Sequence, residues 1–436
     1  MSNRTPSTDH HDVLARVKRV FSMGILTNVL TLVTNFLLPP YFLSHIGVER
    51  YGAWLYLFSI PMSLAMCDLG ISAAFSTEVY RLHANGQREQ AAAVFKTGIK
   101  ILAMLMAGVF AGAWVFVAWW HAGADDMGPT ILLLSAYVLS GYFSELLSSA
   151  YKIEGRYEFM QVTALVSKVA ELGALLWLAP GNNFPNMAAA MLAIRVVSVI
   201  VVWCHLAQIA GYLLRGNWRE WMPVRHLFWP AIMYAVNPLI MFVALQVPLL
   251  VIGGITSMAT VVAYTTTRTM ARLPLQISSQ ISFSLYTEYT RLYSSNQLAL
   301  LEQLYRKSVR MILGMFGLAL LAGQLLGVPF YEFWLNRVPT DFHLLFAMLF
   351  IDALFESVMR NKIALSSSLN VHARDTLLHL VVVSTAAGAM YLGGLWFKDI
   401  KIMLCMSGSV VTLAVLYVAQ QSLRGKPIKA SLAFSQ

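Results

Sequence analysis

Thr77-Glu78-Val79-Tyr80-Arg81-Leu82 returns 210 residues later as Thr287-Glu288-Tyr289-Thr290-Arg291-Leu292. The same ungapped offset pairs Gln87 with Gln297, Phe95 with Tyr305, Lys96 with Arg306 and Lys100 with Arg310. Five identities in the twenty-five positions from 77 to 101 carry little weight as a number. Their position carries more. Both copies follow the second hydrophobic run of a half-chain and precede the third, so the chain reads as two six-span halves in the same orientation, a parallel internal repeat. The alternative is two unrelated basic loops made similar by positive charge alone.

Hydrophobic residues make up 58% of the chain and charged residues 12%, about half the charged share of a soluble domain. A soluble chain of this composition would expose large apolar patches and aggregate. Cys67, Cys204 and Cys405 each sit inside an apolar run, which points to packing rather than to a disulfide or metal framework. The net charge of +10 raises nucleic acid as a partner, but its distribution argues for membrane topology instead.

Residues 1–19 read as a polar, basic tail (Arg4, Arg16, Lys18, Arg19) without a cleavable signal, because the apolar run that follows is too long for a signal core. About twelve spans follow, most near the ~20 residues a bilayer core requires. They lie near 20–44, 51–76, 98–120, 129–150, 159–178 and 187–213, then near 227–253, 259–286, 309–333, 342–360, 375–396 and 401–420. The expected organisation is a tail (1–19), a six-helix lobe (20–213), a linker (214–226), a second six-helix lobe (227–420) and a tail (421–436). The predicted fold is an all-α polytopic membrane protein, two parallel six-helix repeats around a central cavity. Pro40, Pro61, Pro248 and Pro274 lie in or at the ends of spans and are expected to kink them.

Twenty-three Lys and Arg residues fall on the side of the spans that receives both termini, and four (Arg50, Arg337, Lys398, Lys401) on the other. That asymmetry predicts cytoplasmic termini. The outward loops are short, including 121–127 with Asp125 and Asp126. No stretch is large enough for a soluble catalytic domain, and H-E-x-x-H, G-x-S-x-G and P-loop motifs are absent. The composition points to a transporter rather than an enzyme, with no cofactor.

Charges inside the spans are the next signal, since each costs roughly 2.5–3.5 kcal/mol at a helix centre on insertion scales. Arg268 and Arg272 stand four apart in Ala263-Tyr264-Thr265-Thr266-Thr267-Arg268-Thr269-Met270-Ala271-Arg272-Leu273-Pro274. On one helix face they would form a fork-rich site for phosphate or diphosphate oxygens, in a threonine-rich segment suited to water. The competing reading pairs them with acids on a neighbouring helix, or lets Arg272 reach the cytoplasmic surface. Lys168 and Glu171 stand three apart and are expected to neutralise one another; Arg195 stands alone. Asp352, Glu356 and Arg360 step by four along one face. Glu356 with Arg360 reads as a structural pair, whereas Asp352 has no local partner and is a candidate proton or sodium carrier. Asp68, Glu145 and Glu356 are further candidates for ion coupling, with packing as the alternative.

Pro40, Gly47, Tyr51-Gly52-Ala53-Trp54 and Asp68-Leu69-Gly70-Ile71-Ser72-Ala73-Ala74 resemble the first two helices of the polysaccharide-biosynthesis (O-antigen type) flippases, within the multidrug/oligosaccharidyl-lipid/polysaccharide superfamily. Beyond the first eighty residues the resemblance rests on length, span count, the repeat and Tyr264…Arg268…Leu273-Pro274. It implies two lobes opening alternately to each side of a bacterial inner membrane. It implies as cargo an undecaprenyl-diphosphate-linked oligosaccharide destined for surface polysaccharide, with Arg268 and Arg272 at the diphosphate and Lys168 and Arg195 as lesser candidates. Membrane lipids are further partners, as are a polysaccharide polymerase and glycosyltransferases. One departure concerns coupling: relatives carry an acid before an isoleucine-glycine step in the seventh span, where this chain has Gln246-Val247-Pro248-Leu249-Leu250-Val251-Ile252-Gly253. Proton, sodium and uncoupled transport all stay open. A multidrug cation antiporter shares the expected fold but needs acids facing its cavity, and the first span has none. A non-transporting scaffold for glycosyltransferases would use basic loops such as Arg306-Lys307 and Arg310, which topology explains more simply. A major-facilitator carrier lacks its loop motif in 80–90.

Overall fold

The structure, a computed structural model, describes residues 10–119, 126–215, 217–369 and 371–424, with side chains from Leu26 to Leu423 except at Asn28 and Thr287. Most of the predicted outward loop 121–127 and the ends of both predicted tails lie outside these residues. Lipid leaves a spanning backbone only helices or closed barrels, and every regular element among the described residues is helical. The first half comprises α1 (His10–His45), α2 (Gly47–Ser63), α3 (Ile71–Ala84), α4 (Arg88–Trp119), α5 (Met127–Ser140), α6 (Tyr142–Ile153), α7 (Tyr157–Leu178), α8 (Phe184–Ile209) and the short α9 (Gly211–Leu214). The second comprises α10 (Phe228–Leu245), α11 (Val247–Ile255), α12 (Met258–Ala271), α13 (Leu273–Ser294), α14 (Leu298–Leu335), α15 (Phe342–Ser368), α16 (Ala373–Phe397) and α17 (Ile400–Arg424).

Ten helical stretches among the described residues are long and apolar enough to cross a membrane. The two other expected spans are helical as well. α1 begins at His10, ten residues before the expected entry at 20, because Asp12 to Lys18 continues the helix into the polar tail. The expected span 259–286 is divided into α12 and α13, and the threonines and serines from Thr265 to Ser284 dilute its apolar character.

Two prolines expected to bend spans instead start helices. Pro248 and Pro274 lie in the first turns of α11 and α13, where the missing N–H costs no ladder bond. The breaks fall just before them, at Gln246 and at Arg272. α2 passes through Pro61 and ends at Ser63; the chain then turns through a 3-10 segment, Leu64–Asp68. Leu69 (φ 49°) and Gly70 (φ 69°) follow in the left-handed region. A Cβ on Gly70 would run into the Ala231 carbonyl of α10, so this turn needs glycine for its close approach as well as for its φ.

The chain divides into two compact units. The first contains residues up to Ile46 and Ile60–Pro238; the second contains Gly47–Ser59 and everything from Leu239. Unit 1 has its core around Phe75, Val79, Phe95, Leu146, Tyr151 and Leu206, with the Tyr151 hydroxyl donating to the Val202 carbonyl at 2.8 Å. In unit 2, α15 is the most enclosed of the long helices and carries a buried polar seam. Within that seam Asn361 donates to Ser308 at 2.8 Å and accepts from the Tyr289 hydroxyl at 3.3 Å.

The turn around which the sequence repeat was recognised is built the same way in both units. α3 ends at Ala84 and α4 starts at Arg88; α13 and α14 end and start 210 residues later, at Ser294 and Leu298. Gly86 N donates to His83 O at 2.9 Å and Gln87 N to Leu82 O at 2.9 Å; Asn296 N donates to Tyr293 O at 3.0 Å and Gln297 N to Leu292 O at 2.9 Å. This is a Schellman closure, with Gly86 (φ 78°) and Asn296 (φ 54°) in the left-handed position. The same closure also ends α6, where Arg156 N donates to Tyr151 O and Gly155 has φ 66°. The turn type alone is therefore not distinctive. What matches at the 210 offset is the side chains: Glu78 pairs with Arg81 as Glu288 does with Arg291. Val79, Leu82 and Phe95 are buried, as are Tyr289, Leu292 and Tyr305.

Candidate functional site

The intramembrane charges gather into two clusters, one in each unit. In unit 2 the cluster starts on α12, whose N-terminus is capped by Ser257 accepting from Thr260 N. Its threonines largely turn back on the helix: Thr266 donates to Val262 O at 2.6 Å and contacts the Tyr331 hydroxyl, and Thr269 donates to Thr265 O at 3.0 Å. The Thr265 hydroxyl is buried without a hydrogen-bond partner among the described residues.

α12 ends between the two arginines, so Arg268 and Arg272 take different partners. Arg268 donates to the Leu245 carbonyl at 2.7 Å and lies over the Tyr264 ring at 5.2 Å. Leu245 is the last residue of α10, and a cation there complements the negative end of the helix dipole. Among the described residues no carboxylate lies within ion-pair distance of Arg268. Arg272, at the break before α13, donates to Glu356 of α15 at 2.7 Å. Glu356 also accepts from Arg360 Nε at 3.0 Å, so two guanidinium groups bracket one carboxylate whose side chain is 4% exposed. Arg360 in turn reaches Ser279 at 3.4 Å. Asp352, one turn before Glu356, makes no hydrogen bond or ion pair among the described residues; Arg272, Glu356 and Arg268 are its electrostatic neighbours. Three guanidinium groups against two carboxylates leave one positive charge in this cluster.

In unit 1 the residues come from four helices. Lys168 of α7 donates to the Thr31 hydroxyl of α1 at 2.7 Å. Glu171, one turn further along α7, accepts from the Tyr137 hydroxyl of α5 at 2.9 Å and pairs with Arg195 of α8 at 3.5 Å. Arg195 also donates to the Tyr137 oxygen at 2.9 Å and lies over its ring at 4.8 Å. The expected Lys168–Glu171 ion pair is replaced by Glu171–Arg195, because neighbouring helices offer both lysine and acid better-directed partners than each other. Arg195, expected to stand alone, is thus paired across helices. Two cations against one carboxylate again leave one positive charge.

Asp68 and Glu145 join neither cluster. Asp68 accepts from Ser72 N at 3.1 Å and Ser72 Oγ at 2.7 Å, holding the first turn of α3 after the Leu69-Gly70 break. Glu145 is exposed on α6; its main-chain carbonyl accepts from Ser76 at 3.1 Å and Ser148 at 2.7 Å, and its carboxylate makes no hydrogen bond or ion pair among the described residues. Sequence reasoning missed Tyr137, which bridges Glu171 and Arg195, and Thr31, which holds Lys168. A tyrosine or threonine in an apolar run carries no signal until its helix neighbours are known.

No protein-family profile matches the chain. Over 264 residues it is 21% identical to an FAD transporter of Shewanella oneidensis, a match spanning 53% of this chain and 56% of that protein. The fold aligns with the inward-facing conformation of a multidrug-resistance MATE family transporter of the MOP superfamily at a TM-score of 0.70, with 14% identity over 93% of this chain and 96% of the other. It aligns with a MOP superfamily transporter from Pyrococcus furiosus, described as having a binding pocket of reverse polarity, at a TM-score of 0.63, with 13% identity over 97% and 95% of the two chains. Together with the ten spanning helices, these likenesses show a multi-pass membrane protein with the fold of the MATE transporters of the MOP superfamily.

Proposed function

We propose that the chain is an alternating-access transporter of a diphosphate-bearing cargo. The cargo favoured is an undecaprenyl-diphosphate-linked oligosaccharide, turned from the cytoplasmic to the outer leaflet of a bacterial inner membrane for surface polysaccharide synthesis. In this reading both termini are cytoplasmic, and the two units are parallel copies, as the matching Glu78–Arg81 and Glu288–Arg291 pairs support. The observation that carries it is Arg268, a guanidinium inside the membrane whose direct partners among the described residues are the Leu245 carbonyl and the Tyr264 side chain, with no carboxylate. An isolated intramembrane cation is costly, and a phosphate oxygen offers the charge-assisted partner it lacks. Lys168 is the comparable cation in unit 1, its direct partner among the described residues being the neutral Thr31 hydroxyl. Arg272 and Arg195 serve the site indirectly, already committed to Glu356 and Glu171. The distant relationship to an FAD transporter supports the same chemistry, since FAD also contains a diphosphate.

A second reading, a multidrug or cation antiporter, draws support from the likeness to MATE transporters and from Asp352, whose carboxylate has no hydrogen bond or ion pair among the described residues. Counting lipid-linked oligosaccharide in each leaflet of cells depleted of the protein separates the readings. Accumulation on the cytoplasmic leaflet is the expected result. An unchanged pool with loss of FAD export would keep the diphosphate chemistry and replace the lipid cargo. An unchanged pool with heightened sensitivity to cationic dyes would select the antiporter.

A further inference from the structure

Unit 1 contains a groove of about 670 Å³ between the start of α3, the first half of α4 and the first turn of α10. Its walls are apolar: Ile71 and Phe75 from α3, Ile101 from α4, and Leu227 and Ala231 beside and within α10. Arg225 stands among the lining residues where the chain enters α10, and Phe228 and Trp229 line it while remaining 63% and 68% exposed.

Lys96, Lys100, Arg81 and His226 nearby are engaged. Lys96 donates to the Arg215 carbonyl at 2.9 Å, and Lys100 donates to the Trp218 carbonyl at 3.1 Å and lies over the Trp221 ring at 4.2 Å. His226 and Arg81 share Glu78. These bonds fasten the segment before α10 to unit 1. The Arg225 guanidinium is exposed and has no hydrogen bond or ion pair among the described residues.

We propose that this groove is a binding site for an anionic glycerophospholipid, with its phosphodiester on Arg225 and one acyl chain between α3, α4 and α10. Arg225 is the one cation among the residues lining the groove, and its charge matches the single negative charge of a phosphodiester, whereas a diphosphate would bring at least two. Basic residues at the mouths of interhelical grooves attract anionic headgroups, and tryptophans favour the depth at which such headgroups lie. Because the lipid would touch both the fastened segment and α10, its binding would hold the first turn of α10 against α3 and α4. The site stands independently of the cargo.

The test uses the full chain in nanodiscs of equal phosphatidylglycerol and phosphatidylcholine, with retained lipid counted by native mass spectrometry. One phosphatidylglycerol should be retained over phosphatidylcholine by about fivefold, the effect of one cation at a membrane surface. Arg225→Ala should bring the ratio near one, and Arg225→Lys should keep most of the preference. Ile101→Trp, which fills the groove, should lower retention of both lipids. A preference unchanged in Arg225→Ala, equal retention of the two lipids by the natural chain, or full retention in Ile101→Trp would each overturn the site. Arg225 is exposed, so its variants are expected to fold normally, and they decide the headgroup contact even if the Trp variant does not fold.

Discussion

Units 1 and 2 each enclose one surplus positive charge but restrain it differently. In unit 1 a single acid, Glu171, is held by one arginine and a tyrosine hydroxyl, and the remaining cation, Lys168, rests on Thr31. In unit 2 the acid Glu356 is held by two arginines, a second acid has no direct partner, and the remaining cation, Arg268, rests on a helix-terminal carbonyl and an aromatic face. The difference separates charges that hold the fold from charges free to meet a ligand. A cation paired to a buried carboxylate cannot leave it without stranding the acid. A cation on a hydroxyl or carbonyl can exchange that neutral partner for an anion at small cost.

The largest expected effect comes from breaking the unit 2 bracket. Glu356→Gln leaves Arg272 and Arg360 facing one another without their shared counter-charge, and a broken buried pair costs about 3–5 kcal/mol. Loss of monodisperse protein, or a steep fall in thermal stability, is the expected reading; an unchanged melting curve would show that the bracket is not structural. Arg268→Ala should reduce transport by about tenfold or more, the loss of one hydrogen bond to a charged group, while insertion and melting temperature change little. Glu171→Gln should destabilise less than Glu356→Gln, by about 1–3 kcal/mol, because Arg195 keeps the Tyr137 hydroxyl and ring. A loss equal to that of Glu356→Gln would erase the contrast between the units. The smallest effect is expected of Thr31→Val, at about 0.5–1.5 kcal/mol, with transport retained because Lys168 keeps its charge. Abolished transport in that variant would make Thr31 a direct contact to cargo.

The spans were legible because lipid admits so few backbone solutions: the long apolar run 342–360 had to be a helix and is, and 187–213 is helical apart from a break at Ala210. The turns after Thr77 and Thr287 share an ion pair, buried neighbours and a left-handed residue at the same offset, and the likeness read from the sequence is matched in the structure at that turn. The site was only partly legible. Spacing placed Arg268 and Arg272 on one helix, but Pro274 starts a new helix and Arg272 becomes the break itself. Spacing also made Lys168 and Glu171 a natural pair, yet packing brought Tyr137, Arg195 and Thr31 from three other helices. Helical periodicity reports which residues share a face; it does not report which neighbouring helix that face meets. Asp68 illustrates the same boundary, since its capping role depends on the left-handed turn at Leu69 and Gly70.

The most direct test reconstitutes the chain in proteoliposomes with undecaprenyl-diphosphate-linked oligosaccharide in one leaflet, and follows its appearance in the other for the natural protein and for Arg268→Ala inserted to the same level. Transfer by the natural protein, reduced at least about tenfold in the variant, is the predicted result. Equal transfer by both, or no transfer of the lipid by either, would contradict the account.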